Sequence, residues 1–276
     1  MTKQGGLQFL NVYIKYMPDI SLCVNLDSRP TKNQETGLFS GTSNMDYFTE
    51  GVRNKQMYLN SFDFETIVFI DKHLDIPEKE LKYLYDNCDA VVIRKHMDFP
   101  GFNDWNYMEN LSMCRGKYIL HADQDTAMFA QSPSAIQKQL DLLENYDFVS
   151  YPSLFSPAPV HDESFDHWWA STRYFLCKRK TLDFTELRKM MEDYDYCFSQ
   201  YPANRRCHFF EHWIGLLAKY KGKGVIYPPF TNDYLVFSWG RYEDYVWRRL
   251  NEYSFEEVLN WTKSHPLTLP NNDVFC

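Results

Sequence analysis

Residues Tyr118–Asp125 have the sequence YILHADQD, an apolar run that ends in two carboxylates separated by a single residue. Buried apolar runs of about four to eight residues are typical of the inner strands of a sheet. An Asp-x-Asp pair directly after such a strand lies at the carboxyl edge of the sheet, where open α/β folds bind their ligands. Two carboxylates this close need a cation or a shared proton. The stretch therefore predicts either a divalent metal site or an acid–base pair.

Strand and helix patterns alternate ahead of this stretch. The strands are predicted at Ile20–Asn25, Glu65–Ile70 and Ala90–Ile93, and the helices at Met45–Leu59, Pro77–Tyr85 and Asp104–Cys114. A long loop rich in Ser, Thr, Gly and Asn, residues 26–44, follows the first strand and is a candidate for function. This alternation predicts an α/β fold with a mostly parallel central sheet and flanking helices, Rossmann-like in its N-terminal half.

The second half of the chain is less regular. Strands are predicted at Phe148–Tyr151, Arg173–Lys178 and Gly224–Pro229, and a helix at Phe209–Tyr220. The sequence contains no low-complexity tract, repeat or linker that would mark a domain boundary. We therefore expect a single domain over residues 1–276, with a C-terminal extension.

Composition excludes several classes of partner. The net charge of −8 and the pI near 5.5 argue against a protein that binds the phosphate backbone of nucleic acid. The sequence shows neither a signal peptide nor an apolar run long enough to span a membrane, so we expect a soluble, cytoplasmic protein. The 7 cysteines lack metal-binding spacing and are expected to be reduced thiols. Aromatic residues make up 17% of the chain, which suits an aromatic core as well as platforms for sugar rings.

The sequence lacks the glycine-rich patterns that bind dinucleotides or cradle phosphates. A diphosphate would have to be held in another way. A divalent metal on Asp123 and Asp125 would do this, because it neutralises a diphosphate while the bond to the transferred group breaks.

Several segments in order resemble the GT-A fold glycosyltransferases, which use nucleotide-sugar donors. These segments are Val68–Asp71, the helix that carries Asn110, Gly116–Ile119, the Asp123–Asp125 pair, Tyr174–Lys180, Phe210–Leu217 and Gly224–Pro228. The resemblance covers roughly residues 20 to 230. It implies a nucleotide-sugar-binding half at 1–125, an acceptor-binding half at 126–230 and an extension at 231–276.

The resemblance also implies roles for individual residues in binding the donor. Asp123 and Asp125 would hold Mn²⁺ or Mg²⁺ on the diphosphate, and His265 would supply a third metal ligand. The donor, most simply a uridine diphosphate sugar, would contact residues of the first half: Asp27, Arg29, Asp71, Asn110 and Asp123.

A base must take a proton from the acceptor hydroxyl in an inverting transfer. By the resemblance, Glu211 occupies the position of that base, but His212 stands where the family usually has a second acidic residue. Both remain candidates, since an imidazole titrates near neutrality. The acceptor, a glycan hydroxyl, would bind Asp162, Trp168 and Trp169 of the second half and Trp239 and Arg241 of the C-terminal extension.

Two other functions also fit the sequence. An Asp-x-Asp strand end supplies the nucleophile and the acid–base group of haloacid-dehalogenase-type phosphatases. That family carries the pair near its N-terminus and a second acidic motif later, which we do not find here. A carbohydrate-binding protein without catalysis would need only the aromatic residues. Each candidate residue could also be structural: Asp71 a strand-end cap, Glu211 and His212 helix caps, and the tryptophans core residues.

Overall fold

The structure, a computed structural model, describes residues 17–26, 31–32, 39–40, 48–71, 76–94, 104–123, 126–151, 170–202, 210–228, 233–238 and 252–264. None of the helices in these ranges is long and apolar enough to cross a membrane. The strands are β1 (Ile20–Leu26), β2 (Thr31–Lys32), β3 (Phe39–Ser40), β4 (Phe64–Asp71), β5 (Ala90–Arg94), β6 (Tyr118–Asp123), β7 (Thr126–Ala130), β8 (Phe148–Ser150), β9 (Tyr174–Lys178), β10 (Val225–Ile226) and β11 (Tyr234–Ser238). The helices are α1 (Phe48–Leu59), α2 (Glu78–Asn87), α3 (Asp104–Ser112), α4 (Pro133–Leu142), α5 (Phe184–Glu192), α6 (Tyr194–Gln200), α7 (Phe210–Lys221) and α8 (Phe255–Ser264).

The main sheet has seven strands in the order β10-β8-β9-β6-β1-β4-β5. The pairs β1–β4, β1–β6, β4–β5 and β8–β10 are parallel, whereas β9 runs antiparallel to both β6 and β8. The predicted fold class is confirmed: the protein has an α/β fold with a mostly parallel central sheet and flanking helices. The predicted loop at 26–44 also contains a short antiparallel pair, β2–β3, which the sequence analysis did not anticipate.

Helices cover both faces of this sheet, and each face has its own apolar core. We call the side covered by α3, α5 and α7 the α3 face; its strand residues include Cys23, Ile67, Phe69, Ile119, Phe175 and Cys177. Residues of α1, α2 and α4 pack with the alternate strand positions on the opposite face. Every residue of β1 is buried, as expected for a parallel strand covered on both sides.

The acid-ended strand β6 does not lead into a helix. It is followed by β7, which leaves the main sheet and pairs antiparallel with β11, from Thr126 opposite Ser238 to Ala130 opposite Tyr234. Strand β7 was not predicted from the sequence, because a strand immediately after a strand breaks the alternation of strands and helices that revealed the others.

Helices α4, α5, α6 and α8 were also missed, although some carry local signals. Pro133 lies at the start of α4, where proline is favoured. Asp183 caps α5, since its side chain accepts a hydrogen bond from the Glu186 backbone N–H at 3.0 Å. These signals were readable from the sequence.

A buried carboxylate ties β1, β4 and the start of β6 together at the amino end of the sheet. Glu65 accepts hydrogen bonds from Ser21 Oγ at 2.5 Å, from the Arg115 backbone N–H at 2.7 Å and from Arg115 Nε at 2.7 Å. Burial alone would raise the pKa of Glu65, but the bonds from Ser21 and Arg115 outweigh it and lower the pKa. Ser21 Oγ in turn accepts from the Gly116 N–H at 2.6 Å.

Position 116, next to these hydrogen bonds, has no room for a side chain. A Cβ at this position would lie 2.5 Å from the Ser21 backbone nitrogen and 2.8 Å from the Ile20 carbonyl carbon, and neither backbone atom can move freely in a central strand. We therefore expect Gly116→Ala to lower the free energy of unfolding by about 1–3 kcal/mol, the usual range for overpacking. Urea denaturation would measure this, with Met113→Ala, at an exposed side chain, as the control. A Gly116→Ala chain as stable as the wild type would contradict the close approach of Gly116 to the backbone of Ile20 and Ser21.

Helix α7 is held from its C-terminal end by another carboxylate. Glu186 of α5 accepts hydrogen bonds from Tyr201 Oη at 2.5 Å and Tyr196 Oη at 2.9 Å, and Lys221 Nζ of α7 lies 3.0 Å from the same oxygen. The bond from Tyr201, followed by those from Lys221 and Tyr196, lowers the pKa of Glu186 from 4.5 to about 2.

This lowered pKa predicts an acid-dependent loss of stability. Because the folded pKa lies below the unfolded value, Glu186 stabilises the fold at pH above about 4.5, and this contribution disappears as the pH falls toward 2. Glu186→Gln should therefore flatten the fall of the melting temperature between pH 4.5 and pH 2. The exposed Glu192→Gln on the same helix serves as the control and should keep the wild-type slope. Equal slopes for Glu186→Gln and the wild type would contradict the prediction.

Candidate active site

Polar side chains form a row along the carboxyl edge of the sheet. Asn25 of β1 is in register with Asp123 of β6, and Asp71 of β4 is in register with Arg94 of β5. All four positions follow the alternation of the α3 face, so their side chains lie on one side of the sheet. The carboxyl ends of β4 and β6 therefore lie at the same edge of the sheet, with Asp71 fully buried and Asp123 25% exposed at its side chain.

The Asp123 carboxylate is approached from inside by two residues that the sequence analysis did not select. Tyr107 of α3 donates a long hydrogen bond from Oη to Asp123 Oδ1 at 3.3 Å, and His121 Nε2 lies 3.6 Å from the same oxygen. His121 is completely buried, with its ring edge-on to Tyr107 and tilted against Phe175. A histidine inside an otherwise apolar strand was the sequence signal for this environment.

Glu211 comes to the same place from the first turn of α7. Its Oε1 accepts a hydrogen bond from Thr172 Oγ1 at 2.9 Å, and the backbone N–H of Asp123 donates to the Arg173 carbonyl at 3.1 Å. Burial raises the pKa of Glu211, the bond from Thr172 opposes this, and the negative charge of Asp123 raises the pKa further. The structure thus brings Glu211 and Asp123 within electrostatic reach of each other.

The start of α7 is fixed by a carboxylate from α3. Asp104 accepts a hydrogen bond from the Phe210 N–H at 2.8 Å and another from Trp213 Nε1 at 3.2 Å. Phe210 is the first residue of α7, so Asp104 satisfies one of the backbone donors left free at a helix start. The helix that carries Glu211 is therefore anchored directly to the helix that carries Tyr107.

His212 lies next to Glu211 in the same turn of α7 and is half-buried. Successive helical residues point about 100° apart, so the two side chains cannot face the same point. The charge of Asp123 raises the pKa of Glu211, which ties this candidate base to the acidic strand end.

Asn110 is completely buried on α3 and lies in a chain of polar contacts. Its Oδ1 accepts from Arg94 Nε at 2.8 Å and also from Arg94 Nη2, and its Nδ2 donates to Asn25 Oδ1 at 2.9 Å. Asn110 is therefore connected, through its hydrogen bond to Asn25, to the row of polar side chains at the carboxyl edge.

A buried lysine lies beside the acidic strand end on the other face. Lys55 of α1 is fully buried, and its Nζ donates to the Thr126 carbonyl at 2.5 Å and to the Gly51 carbonyl at 3.2 Å. Thr126 is the first residue after the Asp123–Asp125 pair. The sequence pattern of α1 gave no sign of this, because lysine is usually exposed.

The remaining predicted site residues lie outside the described residues: Asp27, Arg29, Asp125, Asp162, Trp168, Trp169, Trp239, Arg241 and His265. Within the described ranges, no three His, Cys, Asp or Glu side chains come together in a way that could hold a metal ion. Asp123 is thus the one predicted metal ligand that the described part of the chain places.

The sequence matches no known protein-family profile and no curated protein. Several solved structures are similar to parts of this chain at low identity. A mannosyltransferase from Pyrobaculum calidifontis in complex with GDP-mannose and Mn²⁺ is 12% identical with a TM-score of 0.47, over 78% of this chain and 55% of that one. Residues 1–349 of S. aureus TarS, in complex with UDP-GlcNAc, are 12% identical with a TM-score of 0.48, over 93% and 68%. The galactosyltransferase LgtC, with donor and acceptor sugar analogues, is 10% identical with a TM-score of 0.48, over 91% and 98%. The chain spans about half the length of the first of these structures.

The proximity of Asp123 and Glu211 can be tested by titration. Asp123→Asn removes the negative charge and should lower the pKa of Glu211, whereas Thr172→Val removes a hydrogen bond to the ionised form and should raise it. Carbon-13 NMR of the Glu211 carboxyl in metal-free buffer would measure both shifts. Asp195→Asn, at an exposed position of α6, is the control. If Asp123→Asn left the titration of Glu211 unchanged, the two carboxylates would not share a site.

Proposed function

We propose that the chain is a metal-dependent glycosyltransferase that moves a sugar from a nucleotide-sugar donor, a uridine diphosphate sugar, to a hydroxyl group of a glycan, with inversion at the anomeric carbon. The observation that carries the proposal is that Glu211 lies close enough to Asp123, at the carboxyl edge of a mostly parallel sheet, for the charge of Asp123 to raise its pKa, with Thr172 bonded to Glu211 and Arg173 bonded to Asp123. The two carboxylates belong to distant parts of the chain and have different partners. This difference suits two separate roles, one in holding a cation and one in moving a proton.

Asp123 fits the first role. Tyr107 and His121 both approach Oδ1, and within the described ranges Oδ2 receives no hydrogen bond, so it remains available as a hard oxygen ligand of the kind Mg²⁺ and Mn²⁺ prefer. Asp125 and His265 are the further ligands that the sequence suggests. The cation, when bound, offsets the charge of the diphosphate as its bond to the sugar breaks.

Glu211 fits the second role as the general base. Its raised pKa makes it a stronger base than an exposed carboxylate, and Thr172 fixes the orientation of Oε1. Glu211 would take the proton of the acceptor hydroxyl as that oxygen attacks the anomeric carbon from the side opposite the departing nucleotide. Attack from the opposite side inverts the configuration.

The other predicted residues complete the proposal. Asp71, with Asp27 and Arg29, would line the nucleobase pocket beyond β4 and β1. Asp162, Trp168, Trp169, Trp239 and Arg241 would bind the glycan acceptor, with aromatic faces against the apolar face of the sugar. One domain over residues 1–276 would contain both halves of the site.

A thermal-shift panel of nucleotide sugars with and without Mn²⁺ tests the donor and the metal together. Binding stabilises the folded state by mass action, by about 2.7 kcal/mol at a ligand concentration 100 times Kd. We expect a Mn²⁺-dependent rise in melting temperature for one donor, and its loss in Asp123→Asn. Asp195→Asn, an exposed aspartate, is the matched control and should keep the rise. A shift that persists in Asp123→Asn would contradict the role of Asp123.

Turnover tests the base. Glu211→Gln should keep the donor-dependent thermal shift while kcat falls by about 10²–10⁴, the usual contribution of a general base. The product should show the inverted anomeric configuration by NMR. A retained configuration, or wild-type turnover in Glu211→Gln, would remove Glu211 from this role. Release of phosphate from an aryl phosphate would instead favour the phosphatase alternative.

A further inference from the structure

Asn25 holds a buried donor that the interactions described so far do not use. Asn25 is 2% exposed at the carboxyl end of β1, and its Oδ1 accepts a hydrogen bond from Asn110 Nδ2 at 2.9 Å. Among the described residues, Asn25 Nδ2 has no acceptor. A buried amide donor without a partner destabilises the folded state. Such a group in a central strand calls for an explanation.

The direction of this donor is fixed by Arg94, two contacts away. An arginine side chain can only donate, and Arg94 donates to Asn110 from both Nε and Nη2, so Asn110 must turn its oxygen toward Arg94. Glu109 holds the guanidinium in place, with its Oε2 3.1 Å from Arg94 Nη1. Asn110 Nδ2 must then donate to Asn25, and Asn25 Oδ1 must accept this hydrogen bond. The NH₂ group of Asn25 is therefore left facing away from Asn110.

The position of Asn25 in the sheet indicates which part of a ligand its NH₂ group would contact. It is in register with Asp123 on one side and with Phe69 on the other, two residues before Asp71 along β4. It thus lies between the carboxylate proposed for the diphosphate end of the donor and the one proposed for the nucleobase. A hydrogen-bond donor at Asn25, between Asp123 and Asp71, would pair with an oxygen atom of a ligand that spans these two positions.

We propose that Arg94, Asn110 and Asn25 form an amide relay that aims the Asn25 NH₂ at an oxygen of the nucleoside diphosphate. The inference rests on the proposed function. Asn25 is the residue that binds the ligand, whereas Arg94 and Asn110 are positioning residues that act through it. Because Asn25 is almost fully buried, the oxygen it binds is anchored against the sheet, where a hydrogen bond is stronger than in water. Asn110 then contributes to nucleotide-sugar binding by fixing the orientation of the Asn25 side chain.

Asn110→Asp tests the relay by reversing it. The new carboxylate still accepts from Arg94, but it also presents an oxygen to Asn25, which must turn its NH₂ toward the side chain at position 110 and its Oδ1 away from it. Asn25→Asp reaches the same outcome directly, because one oxygen still accepts from Asn110 while the other faces away from it. Both variants replace the donor that faces away from Asn110 by an acceptor.

We expect both variants to bind UDP or GDP, whichever the wild type binds with Mn²⁺, at least about 10-fold more weakly in calorimetry, the loss that follows from removing a hydrogen bond to a charged group. Their affinity for Mn²⁺ alone, measured by electron paramagnetic resonance, should not fall. Asn54→Asp is the matched control: Asn54 is also a fully buried asparagine, whose Oδ1 accepts from the Met128 N–H at 2.9 Å, and it lies on α1 away from the relay. It should keep the wild-type affinity for the diphosphate.

The outcomes separate the relay from the proposed function. Wild-type diphosphate affinity in Asn110→Asp and Asn25→Asp would overturn the relay and leave the proposed function intact. An equal loss of Mn²⁺ and diphosphate affinity, or the same loss in Asn54→Asp, would show general damage and would also overturn the relay. A wild-type chain that binds neither UDP nor GDP with Mn²⁺ would overturn the proposed function, and the relay with it.

Discussion

The central strand β1 is the constraint on which the rest of the structure depends. It is paired in parallel with β4 and β6, and every one of its residues is buried. Parallel pairing on both sides forces the three strands to end at the same edge. At the opposite edge, Glu65 is buried with its hydrogen-bonding capacity filled by Ser21 and Arg115. At the amino end of the sheet, the buried charge of Glu65 is therefore fully hydrogen-bonded. The row of polar side chains lies at the carboxyl end.

The helices on the α3 face convert this edge into a site. Helix α3 supplies Tyr107 and Asn110, helix α7 supplies Glu211, and Asp104 joins the two helices at their first turns. The part of the candidate site that the structure describes is thus built from strands and helices that brace one another. Side chains on such elements are held more closely to a fixed geometry than side chains on loops.

The strands of the first half were predictable because each is a contiguous apolar run between clear turn or helix signals. Asp123 could be read from the same pattern, since it ends such a run. Tyr107 and Thr172 could not be selected, because only tertiary packing brings them to Asp123 and Glu211, whereas His121 lies two residues before Asp123 in the same strand and could have been selected. The contact of Asn110 with Asn25 could not be predicted for the same reason: the sequence placed Asn110 on a helix, but this contact depends on how α3 lies against β1. Strand β7 was missed because it departs from the alternation that revealed the others.

The departure of β7 from the main sheet has a consequence for the order in which the protein can assemble. The residues that follow the acidic pair find their strand partner only in Tyr234–Ser238, far along the chain. During synthesis from the N-terminus, the parallel core around β1 can form while β7 still lacks that partner. Pairings between such distant segments are slow, because a long loop must close before the contact stabilises it. The parallel strands around β1 can therefore pair before β7 and β11 do, and the sequence neighbours of the acidic pair take their places later than the strands that support them.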